Sequence, residues 1–486
     1  MGVRLAILTL NVPQEIIQAL ESRTFSLHIK GNAGTGKTTM ALELLRLFPE
    51  NCRAVYLSTR VSPERLYEQF PWSKSCIHQE NVLDANANLY SDTKQEALFE
   101  YVDKPSFLRS LYSRVMDSKG EKTSIIVDSL DALKSNLKIP CDDFSMESDI
   151  LEIANKLNAK VIFISELSSE SKLDYLVDGV IRLEKEVVNG RLLRKLYIEK
   201  VRGTKIEYPT YLFTLKDGRF MAFDKGIKIN VVRAELPKFE KKKGLKIPTL
   251  VTELDKILGG GFERKSFNVL DIGNMVGSDH AGIVSPIFLN FVLQGYPVFT
   301  IPSKGLFSYD VVKSEPSSDL GEKLVSSLGD NSLKYLKKCF HVFLPSENAP
   351  LNTETYDTHF LKGENFIEDL NSLTELAVKV LDEVQADTIF VTIASDTMAY
   401  IYGTKELTKI IQTWIERIKQ LNGIMIMFQF GHENLRLPTQ VASSYLKFEN
   451  IDGSIVFYGE IPKTKMYITG LNISERDIQT RFTPIE

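Results

Sequence analysis

The sequence predicts an α/β protein of two tandem domains. Each is a mostly parallel sheet flanked by helices, and the second is a degenerate copy of the first. Three observations carry this. Strand and helix signals alternate from Phe25 onward, the pattern of a sheet covered on both faces. The run Gly31-Asn32-Ala33-Gly34-Thr35-Gly36-Lys37-Thr38-Thr39 fits G-x-x-x-x-G-K-[ST], a phosphate-binding loop. The strand signals of the first half recur after about 240 residues: Asp387 to Thr392 resembles the Ser124 to Asp128 strand, Gly423 to Phe428 resembles Lys160 to Ser165, and Asp452-Gly-Ser-Ile echoes Asp178-Gly-Val-Ile.

Phe25 to Lys30 reads as a short strand running into the glycines, and Thr38 to Leu47 as a helix leaving them. That order is what the chemistry needs, because backbone N–H groups and a helix N-terminus must converge on phosphate oxygens. All nine residues Gly31, Asn32, Ala33, Gly34, Thr35, Gly36, Lys37, Thr38 and Thr39 are therefore nucleotide-binding candidates. The Lys37 ammonium would reach the β and γ phosphates, and the Thr38 hydroxyl would hold Mg2+.

Arg53 to Ser58 is the next strand, followed by a mainly helical stretch to Asp117. Ser124 to Asp128 is an apolar strand ending in a carboxylate. Asp128 would emerge at the sheet's C-terminal edge, where doubly wound folds bind ligands, and is the second Mg2+ candidate. Ile150 to Leu157 reads as an amphipathic helix and Lys160 to Ser165 as a buried strand. Glu166 follows at the same ligand edge, placed to sense a γ-phosphate. Gly179 to Glu184 and Leu193 to Glu199 alternate with period two around Asn189-Gly190, a hairpin signal.

Composition sets the bounds. A net charge of −4 gives no global pull toward nucleic acid or anionic membrane. Cys52, Cys76, Cys141 and Cys339 include no Cys-x-x-Cys pair, which argues against zinc and a disulfide framework and fits a reducing cytoplasm. No apolar run approaches the roughly 18 residues of a membrane helix. Met1 to Leu10 is read as an edge strand or packing arm, and Leu236 to Gly244, with its run of lysines, as a solvated linker. The division is residues 1–235 for the nucleotide domain, 236–246 for the linker and 247–486 for the second domain.

Lys200-Val-Arg-Gly-Thr204 directly after the hairpin, preceded by Asp178-Gly-Val-Ile181, resembles the KaiC-type branch of the RecA/RadA ATPases. The resemblance implies RecA/KaiC-like P-loop domains, ATP as nucleotide, and roles for Lys200 and Arg202 at a neighbouring subunit's γ-phosphate. The phosphate loop, Tyr56-Leu-Ser-Thr-Arg-Val-Ser-Pro63 and Gln69-Phe-Pro-Trp72 also resemble the GvpD family, archaeal regulators first described in gas-vesicle gene control. That family pairs a KaiC-like domain with a second half and acts by protein–protein regulation.

One departure stands out. KaiC-type enzymes carry two adjacent glutamates after the second strand, where this chain has Ser58-Thr59-Arg60. Neither hydroxyl is a good base near neutral pH. Glu64, a turn further on, is the catalytic substitute candidate; its alternative role is a first-turn helix carboxylate after Ser62-Pro63. The expectation is slow or partner-dependent turnover.

In the second half, Thr252 to Phe262 resembles the segment that opens KaiC and RadA domains. Gly273 to His280 stands where a phosphate loop would follow, with Ser278 for the second glycine, Asp279 for the lysine and His280 for the threonine. A carboxylate repels phosphate where lysine attracted it, each term on the order of 4 kcal/mol at about 4 Å and effective dielectric ~20. Thr392 stands in the place of Asp128. The second half is expected to bind no ATP and to serve as an interaction surface.

The leading function is an ATP-binding regulatory protein of low intrinsic ATPase activity, acting on a protein partner, with a homo-oligomer left open. The alternatives are a RadA-like DNA-associated accessory, disfavoured by charge and by the lack of a basic–aromatic stripe, and a non-hydrolysing scaffold. The residues alone do not separate ATP from GTP.

Overall fold

The computed structural model describes residues 12–46, 53–58, 62–84, 106–116, 123–166, 169–225, 244–273, 287–288, 290–303, 337–345, 357–405, 407–430, 441–474 and 477–486. The expected arm at 1–10, Thr59 and Arg60, the linker at 236–243, and Ser278, Asp279 and His280 lie outside the described residues. The chain divides into two compact units, Met1–Asp224 with Ile485–Glu486, and Lys225–Pro484.

The first unit contains β1 (Ser26–Lys30), β2 (Arg53–Ser58), β3 (Val82–Asp84), β4 (Thr123–Asp128), β5 (Lys160–Ser165), β6 (Gly179–Val188), β7 (Arg191–Val201), β8 (Thr210–Thr214) and β9 (Met221–Ala222). They form one nine-stranded sheet in the order β3-β2-β4-β5-β1-β6-β7-β8-β9. Neighbours from β3 to β6 are parallel, and β6 to β9 continue antiparallel. Strands β2, β4 and β5 are buried on both faces, which is why their middles read as continuous apolar runs. On β2, Ala54 and Tyr56 enter one core and Val55 and Leu57 the other, the period-two alternation of a pleated strand.

Strand register brings the site together. Ser58 pairs with Asp128, Asp128 with Ile164 and Lys30 with Ser165. The C-terminal ends of β1, β2, β4 and β5 therefore lie in one row. Helix α1 (Gln14–Leu20) precedes β1, α2 (Lys37–Leu45) follows it, and α3 (Pro63–Gln69) follows β2. The β6–β7 hairpin turns at Asn189 and Gly190, both at positive φ (51° and 70°), as a two-residue type I′ turn requires.

The second unit contains β10 (Lys246–Ile247), β11 (Phe262–Glu263), β12 (Phe267–Gly273), β13 (Val298–Ile301), β14 (Phe340–Pro345), β15 (Asp357–Leu361) and β16 (Phe390–Ala394). Next come β17 (Ile424–Phe430), β18 (Ser444–Ile451), β19 (Ser454–Ile461), β20 (Tyr467–Ser474) and β21 (Asp477–Pro484). Its main sheet runs β15-β14-β13-β16-β17-β12-β18-β19-β20-β21. That is the order of the first sheet, strand for strand and in the same directions, with β15 added at one edge.

The Thr252 to Phe262 segment is built for backbone packing. Asp255 caps the turn before its helix by accepting from Thr249 N and Leu250 N. Gly261, at φ 120°, brings its Cα so close to Ile247 that a Cβ would stand 2.0 Å from the carbonyl oxygen.

Two sequence correspondences are corrected. Asp452-Gly453 forms the β18–β19 turn, at φ 51° and 80°. It therefore matches Asn189-Gly190 in the fold, and not Asp178-Gly179, which opens β6. Thr392 is not the strand end. It is buried mid-strand and donates to Thr300 Oγ1 at 2.7 Å, and β16 runs on to Ala394. Asp396 falls in the first turn of the next helix, where its Oδ2 accepts from Ser303 Oγ.

Candidate functional site

The site is built at the strand ends of the first unit. The loop from Gly31 to Gly36 leaves β1 and enters α2 at Lys37. Its glycines answer steric demands. Gly31 has φ 149°, and a Cβ there would stand 2.2 Å from the Leu183 carbonyl oxygen. Gly36, the helix N-cap, has φ 100° and lies against the Leu215 side chain. Asn32, Ala33 and Gly34 are exposed, whereas Thr35 and Thr39 are buried. Thr35 Oγ1 closes the turn on Asn32 O at 2.9 Å. Lys37 Nζ folds over the loop, donating to Gly31 O at 2.7 Å and Asn32 O at 2.9 Å.

The loop faces a cleft of about 360 Å³ lined by Lys37, Thr38, Tyr56, Ser58, Asp128 and Glu166, among others. Thr38 Oγ1 donates to Asp128 Oδ2 at 2.6 Å, and Tyr56 Oη donates to the same oxygen at 2.7 Å. Burial, and then the Asp128 charge, push the Tyr56 phenol well above its ordinary range, so it stays a donor. Tyr56 reaches Asp128 because it pairs with Ile126 across β2 and β4, two residues before Asp128 and on the same face. A hydroxyl and a carboxylate meeting at one point, beside a cradle of backbone amides, is a hard oxygen donor set that fits Mg2+. Among the described residues, no group of three or more His, Cys, Asp or Glu forms a separate metal centre.

The other sequence candidates sit elsewhere. Glu64 is in the first turn of α3 and exposed. It faces a separate surface depression with Tyr67, Lys74 and His78, and Gln79 Nε2 donates to it at 3.2 Å. Hydrogen bonds from its own backbone and from Ser62 hold its carboxyl below the usual value. The α3 residues on the nucleotide cleft are Leu66 and Gln69, with Phe70 just after the helix. Glu166 does line the cleft, its backbone N held by Asp131 Oδ2 at 2.5 Å.

Lys200 and Arg202 bond within their own unit. Lys200 Nζ donates to Asp174 O at 2.7 Å and Val177 O at 2.6 Å. Arg202 is 56% exposed in its side chain and reaches Asp178 Oδ1 at 3.4 Å and Tyr175 O at 3.1 Å.

Beneath the loop lies a charged cluster the sequence reading missed. Lys30, buried next to Gly31, pairs with Asp174 at 2.9 Å and Glu199 at 2.7 Å. His28 joins Asp174 Oδ1 and Ser165 Oγ, each at 2.7 Å. Burial opposes ionisation of Asp174, but the bonds from His28 and Lys30 hold its carboxyl well below the usual range. The available signal was the polar pair His28 and Lys30 at spacing two inside a buried strand, which demands a partner.

Comparison with known proteins agrees with this geometry. Residues 20–199 match the family described as GvpD gas vesicle protein, P-loop domain. Protein GvpD1 of Halobacterium salinarum is 29% identical over 93% of this chain and 92% of its own length. Protein GvpD2 of the same organism is 24% identical over 92% of this chain and 91% of its own. A UPF0273 protein of Sulfurisphaera tokodaii is 24% identical over 44% of this chain and 81% of its own length. No helix among the described residues is long and apolar enough to cross a membrane. A P-loop domain implies nucleotide binding, usually with Mg2+. The chain is a GvpD-like P-loop NTPase with its phosphate loop in a RecA/KaiC-like first half.

Proposed function

We propose that this chain is a nucleotide switch: it binds one Mg-ATP in the first unit, hydrolyses it slowly, and signals through a protein partner. The observation that carries the reading is the convergence of Thr38 and Tyr56 on Asp128 beside the Gly31–Thr39 loop. Gly34, Thr35, Gly36, Lys37 and Thr38 would hold the phosphates, with Thr38 and Asp128 holding Mg2+, which would neutralise phosphate charge.

Slow turnover is supported by the strand ends. β2 ends in Ser58, which has a hydroxyl where an efficient general base would be a carboxylate. Glu166 is the carboxylate besides Asp128 among the cleft-lining residues. We assign it, and not Glu64, the orientation of attacking water. Such a site favours binding over chemistry, and binding that differs between ATP and ADP is what a switch requires.

The second half is proposed to bind no nucleotide. Its sheet repeats the first, but the strand equivalent to β4 ends in Ala394 where β4 ends in Asp128, and Asp396, in the helix that follows, is bonded to Ser303. Steady-state hydrolysis by the purified full chain tests the reading. A rate on the order of 10⁻² s⁻¹ or slower, the range of unassisted P-loop switches, and loss on Lys37→Ala support it. Fast hydrolysis, or hydrolysis unaffected by Lys37→Ala, overturns it.

A further inference from the structure

The phosphate loop is gripped from the hairpin side by an arginine that no phosphate-loop pattern includes. Arg194 lies in β7, directly opposite Lys185 of β6, and is only 9% exposed. Its Nη1 donates to Gly34 O at 3.2 Å and Thr35 O at 3.4 Å. Lys185 adds a second cation on the same side, its Nζ 3.1 Å from where a Cβ on Gly34 would stand.

The other end of the guanidinium is held as well. Arg194 Nε donates to the backbone oxygen of Glu486 at 2.5 Å. That oxygen also accepts from Leu215 N at 3.2 Å, and Glu486 N donates to Thr214 Oγ1 at 3.2 Å. Leu215 in turn packs its side chain against Gly36. Glu486 thus supports the loop by two routes, through Arg194 to Gly34 and Thr35, and through Leu215 to Gly36. Residues 485–486 belong to the first unit, although β21, which they follow, belongs to the second.

The physical consequence concerns amide direction. In a trans peptide the C=O and N–H point opposite ways. Fixing the carbonyls of Gly34 and Thr35 on Arg194 turns the N–H groups of Thr35 and Gly36 away from it; the Thr35 N–H closes the turn on Asn32 O at 3.4 Å, and the Gly36 N–H is the one so aimed. Phosphate cradles work by the direction of such amides. A buried guanidinium must also have its donors satisfied, so Arg194 keeps this pose only while Glu486 accepts from Nε.

We propose that Arg194 is a positioning residue for nucleotide binding and that the backbone of Glu486 locks it, making residues 485–486 part of the nucleotide site. This rests on the nucleotide-binding reading above.

The test is calorimetric titration of Mg-ATP into the full chain and four variants. Arg194→Ala lowers affinity roughly ten- to a hundredfold, the scale of a charged hydrogen-bond pair. Removing Glu486 lowers it comparably, and by more than Glu486→Ala, which keeps the backbone oxygen that Arg194 uses. Removing Glu486 in the Arg194→Ala background costs less than it does in the wild-type chain, because coupled partners are non-additive and only the Leu215 route remains. A purely structural role would lower the nucleotide-free melting temperature without that coupling in affinity. If Arg194→Ala does not fold, Arg194→Lys replaces it in the cycle, since an ammonium cannot fork between the loop and Glu486.

Unchanged affinity on removing Glu486, or losses that add, would overturn the proposal while leaving nucleotide binding intact. No Mg-ATP binding by the wild-type chain would overturn the reading beneath it, and this inference with it.

Discussion

Tyr56 and Thr38 donate to one and the same oxygen, Asp128 Oδ2, at 2.7 and 2.6 Å. The phenol comes from the second strand and the hydroxyl from the phosphate loop. A metal bound between Thr38 and Asp128 would replace the Thr38 contact and leave the Tyr56 contact to aim the carboxylate.

Tyr56→Phe therefore weakens Mg2+-dependent nucleotide binding and keeps the fold. Loss of one hydrogen bond to a charged group costs about 1.5–3 kcal/mol, so affinity falls roughly tenfold or more. Titration of ATP with and without Mg2+ checks this: the variant and wild type should differ with the metal and converge without it.

Asp174→Asn destabilises the first unit, because Lys30 and His28 lose their shared carboxylate in a buried setting. Breaking such a pair costs roughly 3–5 kcal/mol, read from urea unfolding. The pH dependence has a definite sign. The folded carboxyl sits below its unfolded value, so its contribution is complete above the ordinary carboxylate range and is lost as pH falls through it toward the folded value. Wild type should lose more stability than Asp174→Asn on acidification below about pH 4.

Acid acts on the second unit at a higher pH. His341 Nδ1 and His359 Nε2 lie 3.1 Å apart on β14 and β15. Burial, and then His359, push His341 down to about 4, against opposing pulls from Lys338 O, Asp357 and Glu383. Burial also lowers His359. The unfolded chain takes up protons first, so stability falls as pH drops from about 6.5 toward 4. The His341 term is on the order of 3 kcal/mol. His341→Gln should flatten this limb of the urea-stability profile.

Lys200 and Arg202 should separate by mutation. Lys200 ties down carbonyls of Asp174 and Val177, so Lys200→Ala should cost about 1–3 kcal/mol of stability. Arg202 is largely exposed, so Arg202→Ala should leave urea unfolding within about 0.5 kcal/mol of wild type.

The phosphate loop was legible in the sequence because its chemistry is local: glycine freedom, a lysine and a threonine must follow one another along the chain. The alternation that predicted two layered sheets was legible because parallel strands are apolar on both faces. Tyr56, Arg194 and Asp174 were not legible, since each reaches the site through strand register or through a segment distant in sequence. A polar residue closing an apolar run suggests a strand end at Thr392, yet its hydroxyl is satisfied inside the sheet by Thr300 and the strand continues. Letter identity pairs Asp452-Gly453 with Asp178-Gly179, whereas turn geometry aligns it with Asn189-Gly190.

The most direct test of the central claim is the stoichiometry of Mg-ATP binding to the full chain by calorimetry. One nucleotide is expected per chain, with binding abolished by Lys37→Ala. Two nucleotides per chain, or one that survives Lys37→Ala, would contradict it.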